Sequence, residues 1–214
     1  MDTAARREQL KEALVDAALR TIAADGLGGL KARALADKVG CAVGAIYNVV
    51  EDLDELILLA NTKTLEQLET ILSMAIQPGE GTDWAVEQLV ALALAYLDFA
   101  TAHRRQWRAL FDHRTGEKPV PDWYRRDQER LFAYVERPVE QLRPKLAPAE
   151  RSLLARSMFS AVHGLVALGL EEKLQFLPPQ TLRQQVVTIV TALGHGFARG
   201  AYGAAASGGP SPDW

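Results

Sequence analysis

A single cysteine, Cys41, stands in the 214-residue chain, so no disulfide can form within it. That scarcity fits a reducing compartment, and a chain of this length buries roughly 70% of its unfolded surface without a covalent or metal staple. Long apolar runs are missing too. The longest, residues 89–97 and 161–170, reach about ten residues, half of what a bilayer span needs, and read as core helices. Residues 1–19 mix Arg6, Arg7, Glu8, Lys11, Glu12 and Asp16 among their apolar positions, which leaves no signal-peptide core there. No membrane partner is expected, and the cytoplasm is the expected compartment. A dominant charge of one sign is likewise absent: the formal net charge of −3 excludes a globally basic nucleic-acid binder.

Catalytic signatures are as scarce. The four histidines, His103, His113, His163 and His195, form no His-Glu-x-x-His pair, and one cysteine makes no thiolate zinc site. There is no phosphate-binding Gly-x-x-x-x-Gly-Lys-Ser/Thr loop and no Gly-x-Ser-x-Gly elbow. The glycine-rich stretch from Gly194 to Gly200 follows a helical pattern rather than a strand, which removes the dinucleotide reading. No enzyme, metal or cofactor is expected.

What the chain does have is helical spacing. Strand-like alternation and internal repeats are absent, and apolar residues recur at three and four, as at Leu10, Leu14, Ala17, Ala18 and Ile22. The predicted fold class is all-α with about nine helices. Their expected ranges are 4–24, 32–39, 43–49, 53–76, 82–102, a short one through Trp107 and Phe111, 122–143 with a kink at Pro138, 148–173, and one opening at Pro178-Pro179 and fading near 203. Asp52 is a suitable N-cap for the fourth. Three parts are expected: a helix-turn-helix domain over 1–52, a helical ligand-binding and dimerisation domain over 53–203, and a disordered tail over 204–214.

The first two turns of that organisation carry the strongest signal. A long helix, a Gly break and two short helices separated by Gly40 describe a three-helix helix-turn-helix unit. Its steep crossing needs a small residue at the close approach (Ala36), a tight turn (Gly40) and apolar anchors (Leu35, Val39, Ile46).

Residues 26–47 further resemble the DNA-binding domain of the TetR family of bacterial repressors. Gly26, Leu35-Ala36, Gly40, Gly44, Ile46 and Tyr47 match that family's pattern, and Leu56 matches at the start of the fourth helix. The stretches Tyr96 to His103, Trp107 to Phe111 and Ser160 to Leu165 look like family ligand domains of the WHG type, named for a Trp/His/Gly motif, with Phe159 in the place of the Trp. The resemblance implies double-stranded DNA, a small-molecule effector and a second copy of the chain as partners. Departures are specific: Leu30 replaces a capping Ser or Thr, Ala42 a turn Ser, Val49 a frequent His, Val50 an aromatic, and Leu53 a Lys. The Ser, His and Lys of the pattern are phosphate-holding groups, and phosphate contacts supply most non-specific affinity.

On that resemblance the candidate DNA contacts are Lys31, Arg33, Lys38, Ala42, Val43, Ala45, Tyr47 and Asn48. Val43 and Ala45 suit a thymine methyl, Asn48 a bidentate contact to adenine, Tyr47 a phosphate, and the three cations flank the site. Against them stand Glu51, Asp52, Asp54 and Glu55, which place the whole charge deficit just beyond the recognition segment. Residues 30–48 carry net +2 and residues 49–60 net −4. Weak or strongly salt-sensitive DNA binding is the expectation.

Aromatic and bulky apolar residues are frequent in the later helices, among them Trp84, Trp123, Tyr124, Phe132, Met158 and Phe176 with their neighbours. Candidate effector-lining residues are Tyr96, Phe99, Trp107, Phe111, Phe159, Val162 and His163. A histidine on an apolar face is more often a hydrogen-bonded core group than a ligand contact, so His163 carries both readings. Gly164, Gly169, Gly194, Gly196 and Gly200 mark the last two helices as places of close backbone approach, which suits a dimer interface.

Overall fold

Spacing at three and four does produce helices. The computed structural model describes residues 3–116, 118–171 and 178–200. Among them are nine α-helices, one 3-10 turn and no strand. In order these are α1 (Thr3–Asp25), the 3-10 turn (Leu27–Gly29), α2 (Ala32–Val39), α3 (Val43–Ile46), α4 (Leu53–Met74), α5 (Gly81–Ala102), α6 (Arg104–Asp112), α7 (Asp122–Leu142), α8 (Pro148–Gly169) and α9 (Pro179–Ala198). The eighth helix stops at Gly169 and the ninth at Ala198, short of the expected ends at Lys173 and Gly203, with Leu170 and Arg199 as their C-caps; the expected tail at 204–214 and Phe176 lie outside the described residues.

The chain divides into two units that alternate along the sequence. Met1–Thr70 and Phe99–Glu129 form the first; Ile71–Asp98 and Arg130–Trp214 form the second.

In the first unit α1, α2 and α3 close on one apolar core. Leu14, Ala18, Ile22, Leu35, Ala36 and Ile46 are almost fully buried there, joined by Val50, Leu56 and Ala60 and by Ala109 of α6. Burial of a side chain such as Leu or Ile is worth about 1.5–3 kcal/mol, so these residues dominate the unit's stability. The turn between α2 and α3 depends on Gly40. Its φ of 76° is left-handed, and its N–H donates to the Ala36 carbonyl at 2.8 Å while that of Cys41 donates to the same oxygen at 3.0 Å. Sequence spacing placed α2 to the residue. α3 is shorter than the expected 43–49, because from Asn48 onward the bonds tighten: Asn48 N–H reaches Ala45 and Val49 N–H reaches Ile46, three residues back. Asp52 caps α4 as its sequence position suggests, its carboxylate accepting the Glu55 N–H at 2.8 Å.

In the second unit the end of α4 is finished by a side chain. The buried Gln88 accepts the Gln77 N–H at 2.8 Å and donates to the Ala75 carbonyl at 3.0 Å. Pro148 opens α8, and Glu150 accepts the Ala147 N–H at 3.1 Å. α8 packs on α9 through Gly169, where an added Cβ would stand 2.5 Å from Leu182; one at Gly194 would stand 2.9 Å from Val86. These two glycines therefore serve packing inside one protomer. Gly164 and Gly196 have open space where a Cβ would go.

By length and composition alone, α5 and α8 are each apolar enough to cross a membrane, which the short uninterrupted runs did not suggest. Isolated polar residues such as Gln88, Ser157 and His163 break the runs without lowering the average. Of the apolar stretch, 56% is buried within the protein in α5 but only 33% in α8.

Candidate functional site

The helix-turn-helix presents its outer face unevenly. Ala42, Val43, Tyr47 and Asn48 are exposed, Tyr47 by 49%, while Ile46 between them is fully buried and anchors the segment. Lys31 and Arg33 are exposed at the start of α2, and Ala45 is half-buried. Lys38 is exposed too, and its ammonium donates to the Thr21 hydroxyl at 2.7 Å, while that hydroxyl donates to the Ala17 carbonyl, also at 2.7 Å. The bond ties α2 to α1.

Spacing alone could not reveal Arg7 as a partner of this site. Its guanidinium donates to the Asn48 carbonyl at 2.6 Å, bringing a cation from the first turns of α1 to the residue that follows Tyr47. Of the positions that depart from the repressor pattern, Val50 is buried in the core, and Val49 and Leu53 pack against it.

The acidic entrance to α4 is internally paired. Lys118 bonds Asp52 and reaches Glu51 at 3.2 Å, and Lys11 lies 3.7 Å from Glu55. The Lys118 ammonium, hydrogen-bonded to Asp52, holds that carboxyl below its usual range and raises its own pKa in return. His113 Nε2 stands 3.6 Å from Asp54, too long for a hydrogen bond, and burial pushes the imidazole pKa down against the pull of Asp54 and Asp52.

The expected effector-lining residues separate by unit. In the second, Tyr96 Oη and His163 Nδ1 are 2.7 Å apart, and Phe159 meets Tyr96 edge-on with ring centres at 5.4 Å. Phe132 meets Phe159 in the same way at 5.5 Å, Arg156 lies over Phe132, and Val162 is buried beside them. Burial lowers the His163 pKa and so favours the neutral ring, whose Nδ1 accepts a hydrogen bond from the Tyr96 hydroxyl when the ring proton is on Nε2. Phe99, Trp107 and Phe111 belong to the first unit. There Phe99 packs on His103 at 4.9 Å, and Trp107 meets Phe111 edge-on at 5.7 Å.

A third group escaped sequence reasoning. Asn61, 1% exposed, donates from its amide nitrogen to the Ala109 carbonyl at 3.1 Å, and its side chain is the hydrogen-bond partner of the Tyr124 hydroxyl, on a residue 4% exposed. Burial pushes the Tyr124 pKa up to about 12 against the opposing pull of that bond. Among the described residues no group of three or more His, Cys, Asp or Glu side chains is placed to hold a metal.

A helix-turn-helix headpiece on an all-helical body defines a class of two-unit helical proteins. Comparison with known proteins narrows the class. Residues 89–193 match the family described as Tetracyclin repressor-like, C-terminal domain. An HTH-type transcriptional regulator of Mycobacterium bovis is 26% identical over 118 residues, 55% of this chain and 48% of that protein, and one of Mycobacterium tuberculosis matches to the same extent. The chain thus spans about half the length of the curated relatives it matches. A solved structure of a Rhodococcus protein of unknown function is 25% identical with a TM-score of 0.64, covering 89% of this chain and 94% of that one. A TetR-family transcriptional regulator from Streptomyces coelicolor shares the fold at 18% identity and a TM-score of 0.60, covering 93% and 89%. Residues 89–193 thus carry a Tetracyclin repressor-like C-terminal domain, and the chain shares the fold of a TetR-family regulator.

Proposed function

We propose that this protein is a transcriptional regulator, acting as a repressor, that binds a palindromic double-stranded DNA operator as a homodimer and is released by a small apolar or aromatic molecule. The observation that carries the reading is the exposure of Val43, Tyr47 and Asn48 around a buried Ile46. Such a segment offers base-reading and phosphate-reading groups to a major groove while its core side holds it rigid. The dimer is supported by apolar residues left open on the last two helices: Leu153 and Leu168 on α8 and Ile189 on α9 are exposed. A two-fold pairing across those helices sets two recognition segments against two half-sites. Tyr96, Phe159 and His163 support an aromatic effector site in the second unit. Effector binding that favours a conformer with mismatched half-site spacing releases the DNA.

Selection of fragments from the source genome with the intact protein tests the reading. Enrichment of discrete fragments, including the region upstream of its own gene, is expected; no enrichment above background overturns it. A second reading, an effector-binding dimer of the same fold that no longer binds DNA, is favoured by the Lys38–Thr21 bond and by Ala42, Val49 and Leu53 at phosphate-holding positions.

A further inference from the structure

We propose that His113 and Asp54 form a proton-gated latch between the loop after α6 and the first turn of α4, and that its closure in mild acid tightens DNA binding. The latch stands on its own geometry; its effect on DNA rests on the regulator reading above.

Four carboxylates crowd the entrance to α4, and they are not matched alike. Glu51 and Asp52 share the Lys118 ammonium, and Glu55 has that of Lys11 at 3.7 Å. A lysine is a cation throughout the neutral range. Asp54 faces a histidine instead: His113 Nε2 lies 3.6 Å from its Oδ1 and has no hydrogen-bond partner, on a side chain only 8% exposed. Both contacts come from one short connection. His113 and Lys118 lie between α6 and α7, and both reach the first residues of α4 or those just before it. Lys118 thus keeps this loop against α4, with the imidazole just beyond bonding distance of Asp54.

Proton uptake changes that contact in kind. An imidazolium brings a charged N–H donor to Asp54, and closing by about half an ångström makes a charge-assisted bond. Burial of the ring opposes uptake, while Asp54 and Asp52 of α4 favour it. The other charges nearby are already engaged: Asp112 of α6 with Arg108 at 3.4 Å, Lys11 of α1 with Glu55, and Glu51 with Lys118. Residues 49–60 carry net −4 directly after the recognition segment, so one added positive charge there lowers the repulsion that a phosphate meets.

Two measurements on the full chain test the proposal. An NMR titration follows the histidine rings, with His113 assigned through His113→Gln. Asp54→Asn is expected to move the His113 midpoint further down and to leave the other histidines in place; an unmoved midpoint overturns the latch. Fluorescence anisotropy on an enriched fragment, at constant salt, reads affinity between neutral pH and about pH 5.5. Wild type is expected to tighten about threefold more than His113→Gln across that span, the effect of one charge in counterion exchange. Asp54→Asn alters a side chain 43% exposed, so it keeps the test decisive where His113→Gln fails to fold. It is expected to bind more tightly than wild type at neutral pH and to converge with it in acid. Parallel pH profiles for wild type and these variants overturn the proposal. Coupled titration without DNA enrichment removes the regulator reading and leaves the latch standing; enrichment with an uncoupled His113 does the reverse.

Discussion

The Arg7 guanidinium and the Asn48 carbonyl, 2.6 Å apart, join the start of the first helix to the turn that follows the recognition segment. A charge-assisted bond of this kind holds the turn while leaving a cation beside Tyr47. Arg7→Ala is therefore expected to cost the fold about 1 kcal/mol or less, the bond being exposed, yet to weaken DNA binding several-fold. Fluorescence anisotropy on an enriched fragment reads the second effect, and unchanged affinity counts against it.

Lys118 makes the acidity at the entrance to α4 dependent on pH. Its bond holds the Asp52 carboxyl below the ordinary value of 3.8, so the stabilisation is present above that value and lost as pH falls through the lowered one. Melting temperatures of wild type and Asp52→Asn are expected to differ at neutral pH and converge in acid. A constant difference across that range excludes the linkage.

Burial depresses the pKa of both His163 and His113 below 6.5, with the same sign as at Asp52 but a window at higher pH. The folded protein then resists taking up protons that the unfolded chain accepts, so stability falls as pH drops below about 6.5. His163→Gln is expected to flatten the decline in melting temperature between neutral pH and pH 5. A slope equal to that of wild type removes His163 as a source.

Gly169 and Gly164 differ in whether a side chain has room: the first faces Leu182, the second open space. Gly169→Ala drives a Cβ against Leu182 and is expected to destabilise by about 1–3 kcal/mol, measured by urea unfolding. Gly164→Ala meets open space and gains up to about 1 kcal/mol of helix propensity. Leu168→Glu, at an exposed position, is expected to shift sedimentation toward monomer with helicity unchanged; an unaltered dimer excludes this face.

Local chemistry made much of the fold legible. The spacing of Leu14, Ala18 and Ile22, the glycine at 40 and the carboxylate at 52 each act within a few residues, and each was readable in order along the chain. Pairings across long separations were not. Arg7 meets Asn48 across 41 positions and Lys118 meets Glu51 across 67, and no periodicity encodes such partners. The pairing of Asn61 with Tyr124 carried no sequence signal either, since the two stand far apart along the chain.

Ala109 sits in the same core as Leu14 and Ile46, although α6 follows α4 by some thirty residues of chain. The headpiece is therefore not a detachable module. A chimaera that grafts only the residues up to the end of the third helix onto another body of this fold would inherit a donor core lacking one wall. Swapping DNA specificity between such proteins requires carrying the 99–129 stretch along, or re-cutting its contact surface to suit the new host.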